Sequence, residues 1–116
     1  MGEIDPRTLH DEPHDAPGHL RFLAEKIIET VVPSDVISQA VRLRQEGGDW
    51  RGLSPFAADR EPGSLFVNDE ARWFFCVLTR RRGNVVAWTM STGDGMAFDE
   101  AVRHLASRFL GVKAVL

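Results

Sequence analysis

The sequence predicts an α+β domain in which a small antiparallel sheet lies between N-terminal and C-terminal helices. Apolar residues recur every three or four positions near both ends of the chain, and apolar and polar residues alternate in the middle. The chain has 116 residues, of which 43% are hydrophobic and 27% charged, and this suits one compact core. We therefore expect the order helix, helix, strands, helix, helix.

The N-terminal part divides into a tail and a helix. Residues 1–18 contain three prolines, five acidic residues and almost no bulky apolar side chains, which predicts a flexible acidic tail. Residues 19–116 then form the folded module. From His19 onward, one face of a predicted helix carries the apolar residues Leu20, Leu23, Ala24, Ile27, Ile28 and Val31.

Pro33 should end this helix and allow a short second one. Ser34 follows the proline and is a favourable N-cap residue, so we expect a new helix to begin there. Its inward face would consist of Val36, Ile37, Ala40 and Val41.

Two pairs of extended segments follow. Residues 41–45 alternate apolar and polar side chains, Gly47-Gly48 is a turn signal, and residues 49–53 resume extended structure, which predicts a β-hairpin. Residues 64–67 and 72–78 are rich in β-branched and aromatic residues, and the polar residues 68–71 separate them. The two hairpins together predict the small antiparallel sheet.

Two further helices complete the predicted fold. Gly83-Asn84 ends the strands and begins a helix over residues 85–90, which Gly93-Asp94-Gly95 breaks. The last helix starts near Phe98 and should end at Gly111. Its apolar face consists of Phe98, Ala101, Val102, Leu105, Ala106, Phe109 and Leu110.

Charge and composition exclude several classes of protein. No apolar run approaches the roughly 18 residues that a membrane span needs, and the acidic N-terminus does not resemble a secretory signal, so we expect a cytoplasmic protein. The single cysteine, Cys76, cannot form an internal disulfide or hold a structural metal alone. The net charge is −3, but residues 42–82 hold eight arginines against six acidic residues, so the positive charge is central.

Six short stretches resemble the N-terminal zinc-binding domain of bacterial DNA primases, the CHC2 zinc finger. In that family an extended basic segment precedes a Cys-Pro-Phe-His box, a strand, an aromatic-His-Cys-x-x-Cys box, a glycine-rich turn and two helices. The stretches here keep this order, with about one inserted residue near Gly63: 41–44 (VRLR), 52–57 (GLSPFA), 61–68 (EPGSLFVN), 73–79 (WFFCVLT), 83–86 (GNVV) and 96–102 (MAFDEAV). The resemblance runs from about Leu20 to Ala106 and implies a zinc-ribbon-like sheet flanked by helices.

The sequence departs from this family at the zinc ligands. The resemblance places the four ligands at Ser54, Ala57, Cys76 and Thr79, and only Cys76 is a residue that zinc favours. We therefore expect a degenerate copy with no zinc and no other cofactor. Because a structural zinc contributes about 10 to 16 kcal/mol in small fingers, we expect apolar packing around Cys76 to replace it, through Trp73, Phe74, Phe75, Val77 and Leu78.

The candidate functional residues are arginines and aromatic residues of the predicted sheet region. Arginine suits bidentate contacts with phosphate, and aromatic rings stack on unpaired bases. We predict that the nucleic-acid-binding residues are Arg42, Arg44, Arg51, Arg72, Arg80, Arg81, Arg82 and Trp50. Phe66, Trp73 and Phe74 are further candidates for stacking. In the alternative interpretation, the arginines are solvated and reflect coding bias, and the aromatic rings belong to the core.

The resemblance implies a module without catalytic activity. Primer synthesis in the family requires a separate polymerase domain of the Toprim type, and the sequence offers no convincing nucleophile, glycine-rich phosphate loop or carboxylate pair. We expect a replication-associated or mobile-element protein that binds single-stranded DNA. A second interpretation is a metal-free protein-interaction module that docks a partner or forms a homodimer. A third is an enzyme with an unrelated site.

Overall fold

The computed structural model of the protein describes residues 18–56, 63–92 and 95–111. It confirms the predicted α+β order. Residues 1–17 of the predicted tail lie outside the described part, and Gly18, which was assigned to the tail, begins the first helix. The elements are α1 (Gly18–Thr30), α2 (Pro33–Ile37), β1 (Arg44–Glu46), β2 (Asp49–Gly52), β3 (Leu65–Asn68), β4 (Trp73–Cys76), β5 (Arg82–Gly83), α3 (Val85–Ser91), α4 (Phe98–Leu105) and a π-helical segment (Ala106–Leu110).

The sheet is an antiparallel meander with the strand order β1-β2-β3-β4-β5. Both predicted hairpins form, β1–β2 around Gly47-Gly48 and β3–β4 around residues 69–72. The sequence did not predict β5, in which Gly83 pairs with Phe74 on β4. A Cβ atom at Gly83 would lie 2.7 Å from the Cβ of Ala87, so the close approach of β5 to α3 requires glycine.

One face of the sheet packs against the helices and forms the core. The inward residues of β3 and β4 are Leu65, Val67, Phe74 and Cys76, all of them buried. Helices α2 and α3 contact these strands, and the predicted apolar faces of α1, with Ala24 and Ile27 fully buried, and of α4 join the same core through α3 and each other. We call the opposite side of the sheet, which carries the alternate strand residues, the outer face.

Helix α2 begins differently from the prediction. Val32 is the N-cap and Pro33 occupies the first turn, so Ser34 lies inside the helix. The Ser34 hydroxyl and amide donate to the carboxylate of Asp69 at 2.6 and 2.8 Å. Because the indole N–H of Trp50 donates to the same carboxylate at 3.0 Å, Asp69 joins α2 to the sheet. We call these three hydrogen bonds the Asp69 clamp.

Residues next to the helix ends make capping contacts or adopt the backbone conformation that ends a helix. The Asn84 side chain caps α3 by accepting from the amide of Ala87 at 3.0 Å. Glu100 accepts from the amide that precedes α4 at 3.1 Å. Gly111 ends the π-helical segment in the left-handed region, at φ 69°, as predicted. Within the described residues, no helix combines the length and apolar character that crossing a membrane requires.

The inward face of the second helix also differs from the prediction, at one residue. Val36, Ile37 and Val41 are buried as predicted, whereas Ala40 is exposed because the helix ends at Ile37 and the chain turns before β1. Of the predicted helix breaker 93–95, Gly93 and Asp94 lie outside the described residues.

Candidate functional site

Three of the positions assigned to zinc ligands lie together at one end of the sheet. Ser54 follows β2, Cys76 ends β4, and Thr79 lies in the turn after β4. The Ser54 Oγ and Cys76 Sγ atoms share a hydrogen bond of 2.9 Å, and both residues are buried. Ser54 Oγ also accepts from the amide of Phe56 at 3.1 Å. The fourth position, Ala57, lies outside the described residues.

Hydrogen bonds lower the pKa of the Cys76 thiol. Burial of the side chain raises the pKa, but hydrogen bonds with the Ser54 and Thr79 side chains, and with the amides of Thr79 and Leu78, lower it by more. The thiol therefore has polar partners on several sides. We call Ser54, Cys76 and Thr79 the knuckle cluster.

The knuckle cluster does not fit zinc. Structural zinc sites use thiolate and imidazole donors in a closed tetrahedron, whereas Ser54 and Thr79 offer hydroxyl groups and Ala57 offers a methyl group. Nowhere in the described part of the chain do three or more His, Cys, Asp or Glu side chains gather into a metal-binding group. The arrangement is a hydrogen-bonded structural cluster that has taken the place of the ligand set.

The expected apolar replacement for zinc is wrong for Val77 and Leu78. These side chains are 47% and 58% exposed, because they lie in the turn beyond the end of β4. Trp73 and Phe75 are only half-buried. Phe74 is buried as expected, and it packs against Phe56 and Trp88, which were not in the expected set. The ring centroids of these last three residues lie 5.2 to 5.9 Å apart, and Trp88 meets the other two edge to face.

The outer face of the sheet carries one continuous row of arginines and phenylalanines. The strand register pairs Arg44 with Arg51, Arg51 with Phe66, Phe66 with Phe75, and Phe75 with Arg82. These five residues therefore stand side by side across all five strands. Because neighbouring strands are about 4.8 Å apart, the row is about 19 Å long. We call it the outer-face row.

Glu46 and Phe66 hold Arg51 in place within this row. The Arg51 guanidinium lies 4.6 Å from the centroid of the Phe66 ring, and its Nη1 atom is 2.9 Å from Glu46 Oε1. Glu46 also pairs with Arg44 at 2.7 Å. The hydrogen bonds from Arg51 and Arg44 lower the pKa of the Glu46 carboxyl group. Arg82, at the other end of the row, has no ion pair or hydrogen bond from its side chain among the described residues.

The three consecutive arginines, Arg80, Arg81 and Arg82, have different environments. Arg82 belongs to the outer-face row, whereas Arg81 lies over the Phe56 ring at 5.2 Å. Arg80 is exposed in the turn and has a left-handed backbone conformation, at φ 63°. All three residues are exposed, and they lie in β5 or in the turn just before it.

Two other predicted residues have structural contacts. Arg72 donates from Nη1 to the carbonyl oxygen of Val31 at 3.1 Å, just beyond α1. Trp50 lies opposite Val67 on the helix-facing side of the sheet and belongs to the Asp69 clamp. The structure thus separates Trp50 from the outer-face row. The remaining predicted residue, Arg42, is exposed just before β1.

Phe75 is the row residue that was not among the stacking candidates. The strand alternation in residues 73–76 already places Trp73 and Phe75 on one face and Phe74 and Cys76 on the other. The burial of Phe74, at 2% exposure, shows which face is the core, and this identifies Phe75 as an outer-face residue.

Comparison with protein families gives a match over most of the chain. The family described as CHC2 zinc finger matches residues 21–114. A DNA primase of Myxococcus xanthus is 35% identical over 88 residues, which cover 76% of this chain and 14% of the primase. A DNA primase of Clostridium acetobutylicum is 32% identical over 91 residues, which cover 75% of this chain and 15% of the primase. The chain thus spans about one seventh of the length of these relatives.

A solved structure has the same fold. The crystal structure of the Aquifex aeolicus primase, which contains zinc-binding and RNA polymerase domains, superposes with a TM-score of 0.67 at 26% sequence identity. The superposition covers 73% of this chain and 21% of the Aquifex chain. The similarity is confined to the zinc-binding domain and does not extend to the catalytic domain.

Proposed function

The chain belongs to the CHC2 zinc finger family of bacterial DNA primases, as a degenerate copy that lacks three of the four zinc ligands, and we propose that it is a non-catalytic module that binds single-stranded nucleic acid. The outer-face row carries this proposal. Its two central phenylalanines lie on adjacent strands, and arginines follow on both sides.

The chemistry of the row suits an unpaired strand. Bases stack on aromatic rings whatever their identity, and arginines beside the rings contact the phosphates. Phe66 and Phe75 are directly opposite each other on β3 and β4 and are half-buried. The Arg51 guanidinium lies over the Phe66 ring, and bases stack on guanidinium planes as well as on aromatic rings. A duplex hides its base faces and would leave these rings unused. We therefore expect single strands to bind more tightly than duplexes.

The charge around the row favours nucleic acid as well. Arg44, Arg51 and Arg82 contribute three positive charges and Glu46 one negative charge. Arg80 and Arg81 extend the positive surface at the β5 end, where both are exposed. Trp50 and Arg72 are not part of the proposed interface, because their polar groups contact Asp69 and Val31.

The test is the binding of a fluorescent oligothymidylate over a series of salt concentrations. Replacing Arg44 and Arg82 by alanine should weaken binding and reduce the slope of log K against log salt by about 0.7 for each lost phosphate contact. The matched control replaces Lys26 and Arg108, two exposed cations on the helices, and should leave the slope unchanged. Binding weaker than about 100 μM at low salt would contradict the proposal.

The phenylalanines are tested by leucine, which keeps the apolar packing and removes the aromatic ring. Phe66→Leu and Phe75→Leu should each weaken binding, because base stacking contributes about 1 to 3 kcal/mol per base. Neither change should alter the salt slope, since neither removes a charge. An equal loss of affinity in the Leu78→Ala variant, which lies in the exposed turn, would show that the effect is not specific to the row.

One observation favours the protein-interaction module as a second candidate. Val77, Leu78 and Leu53 are apolar side chains of the two loops that meet at the knuckle cluster, and they are 47%, 58% and 40% exposed. Concentration-dependent association that Val77→Ser together with Leu78→Ser abolishes, in a protein that does not bind oligonucleotides, would favour this candidate over the first.

A further inference from the structure

A cleft lies beside β1, at the edge of the sheet. It has a volume of about 480 Å³, within the range of about 300 to 1,000 Å³ that is typical of small-molecule sites. Its lining consists of Ala40, Val41, Arg42, Arg44, Arg51, Leu53, Ser54 and Pro55. We call it the β1 cleft.

The lining of the β1 cleft combines two kinds of chemistry. Four lining residues are apolar, and Leu53 is 40% exposed, so its side chain is available to a ligand. Three others are arginines, whose planar guanidinium groups bind phosphate oxygens in pairs. Another cleft of the described structure, of about 340 Å³, is lined by no arginine or lysine, so it lacks this combination.

The charge of the β1 cleft is positive and partly fixed in position. Glu46 pairs with both Arg44 and Arg51, which holds two guanidinium groups in place and leaves a net charge of +2 from the four side chains. Within the described residues, the Arg42 side chain has no hydrogen bond or ion pair. Arg42 is therefore available to an anionic ligand without loss of an existing contact.

We propose that the β1 cleft binds a nucleotide bearing several phosphate groups, with the phosphates on Arg42, Arg44 and Arg51 and the nucleoside against Leu53 and Pro55. An apolar surface beside clustered guanidinium groups matches the two halves of such a ligand. Arg44 and Arg51 belong to both the β1 cleft and the outer-face row, whereas Arg42 and Leu53 line only the cleft. The site therefore goes beyond the proposed strand-binding function, and variants of Arg42 and Leu53 separate the binding of nucleotide from that of oligothymidylate.

Isothermal titration of the full chain with ATP, inorganic triphosphate and adenosine tests the proposal. ATP should bind more tightly than inorganic triphosphate, and adenosine should bind most weakly. Arg42→Ala should weaken ATP binding about tenfold or more, the effect of losing a charge-assisted hydrogen bond. Leu53→Ser should weaken the binding of ATP and leave that of inorganic triphosphate unchanged. The matched control is Lys26→Ala, an exposed cation on α1.

Three results would overturn the proposal. These are equal affinities for ATP and inorganic triphosphate, an Arg42→Ala protein that binds ATP as well as the Lys26→Ala protein does, and a Leu53→Ser protein that binds ATP normally. An oligonucleotide with a 5′-triphosphate identifies the source of the ligand. If this oligonucleotide binds more tightly than ATP, and if the binding depends on Arg42, the ligand of the cleft is the end of a strand. If it binds more weakly than ATP, the ligand is a free nucleotide. The affinity of the Arg42→Ala protein for oligothymidylate is measured as well. If it is unchanged while ATP binding is lost, the result concerns the β1 cleft and not the proposed strand-binding function.

Discussion

Glu46 is the residue that sets the charge of the basic surface at the β1 end. Its carboxylate accepts from Arg44 and Arg51, so it positions two guanidinium groups and cancels one of their charges. The hydrogen bonds from these arginines lower its pKa, which keeps the carboxylate ionised through mildly acidic pH. The same residue thus orders the arginines and limits the attraction of anions to them.

Replacing Glu46 with glutamine should strengthen oligothymidylate binding at pH 7 and low salt by about threefold, a size typical of one exposed charge. Fluorescence anisotropy measures the difference between the two proteins. Because the pKa of Glu46 is lowered, the difference should persist as the pH falls through the ordinary glutamate range and close only below it. Glu29→Gln, on the exposed side of α1, is the control. A difference that closes near the ordinary pKa of glutamate would contradict the lowered value.

The residues of the proposed interface were partly predictable from the sequence. Arg44, Arg51 and Arg82 were predicted, because arginine on strands next to aromatic residues is visible in the sequence alone. The role of Trp50 in the Asp69 clamp was not predictable, because strand alternation gives two faces and does not say which is the core. The contact of Arg72 with Val31 joins residues 41 positions apart, which no local pattern reveals.

At the scale of elements, the Asp69 clamp joins a helix to the sheet. One carboxylate in the β3–β4 turn accepts from Ser34 twice and from Trp50 once. Helix α2 has only five residues and cannot be stable alone. Its position therefore depends on buried apolar contacts and on this carboxylate.

Asp69→Ala should reduce the free energy of unfolding by about 2 to 4 kcal/mol, because three donors lose a charged acceptor. Urea unfolding measures the change, and the slope with denaturant should stay constant. Glu70→Ala, in the same turn and exposed, should cost less than about 0.5 kcal/mol as an ordinary surface change. Equal costs for the two variants would show that the clamp does not stabilise the fold.

Elements with a local signal were predictable. The apolar spacing predicted α1 and α4, and the turn signal at Gly47 predicted the short β1–β2 hairpin. Strand β5 has two residues and forms only because β4 provides a partner, so it has no pattern of its own. Val77 and Leu78 were expected to pack inward, but the turn after Cys76 directs them to solvent.

At the scale of the whole molecule, the family fold persists with a hydrogen-bonded cluster in place of a metal site. The Ser54 Oγ and Cys76 Sγ atoms are 2.9 Å apart, so the two segments that would share a metal are in contact without one. The aromatic packing of Phe56, Phe74 and Trp88 lies beside this contact. The degeneracy of the ligands was predictable from the sequence, whereas the contacts that replace them depend on the three-dimensional meeting of loops far apart in the chain.

Restoring the missing donors should restore the metal. A variant with Ser54→Cys, Ala57→His and Thr79→Cys, which retains Cys76, should bind one zinc per chain and lose thermal stability on addition of a chelator. The melting temperature of the unmodified protein should not change with the chelator. The control adds Cys76→Ala to the variant and should bind zinc far more weakly. Stoichiometric zinc that the unmodified protein holds through Cys76 would contradict the conclusion that the knuckle cluster does not fit zinc.

The strand order of the meander also bears on how the protein folds. Every strand pairs with its neighbour in sequence, so few long loops must close before the sheet can form. In such a topology, short loop closures alone bring each strand to its partner, so the search for the correct strand pairing does not depend on a metal ion.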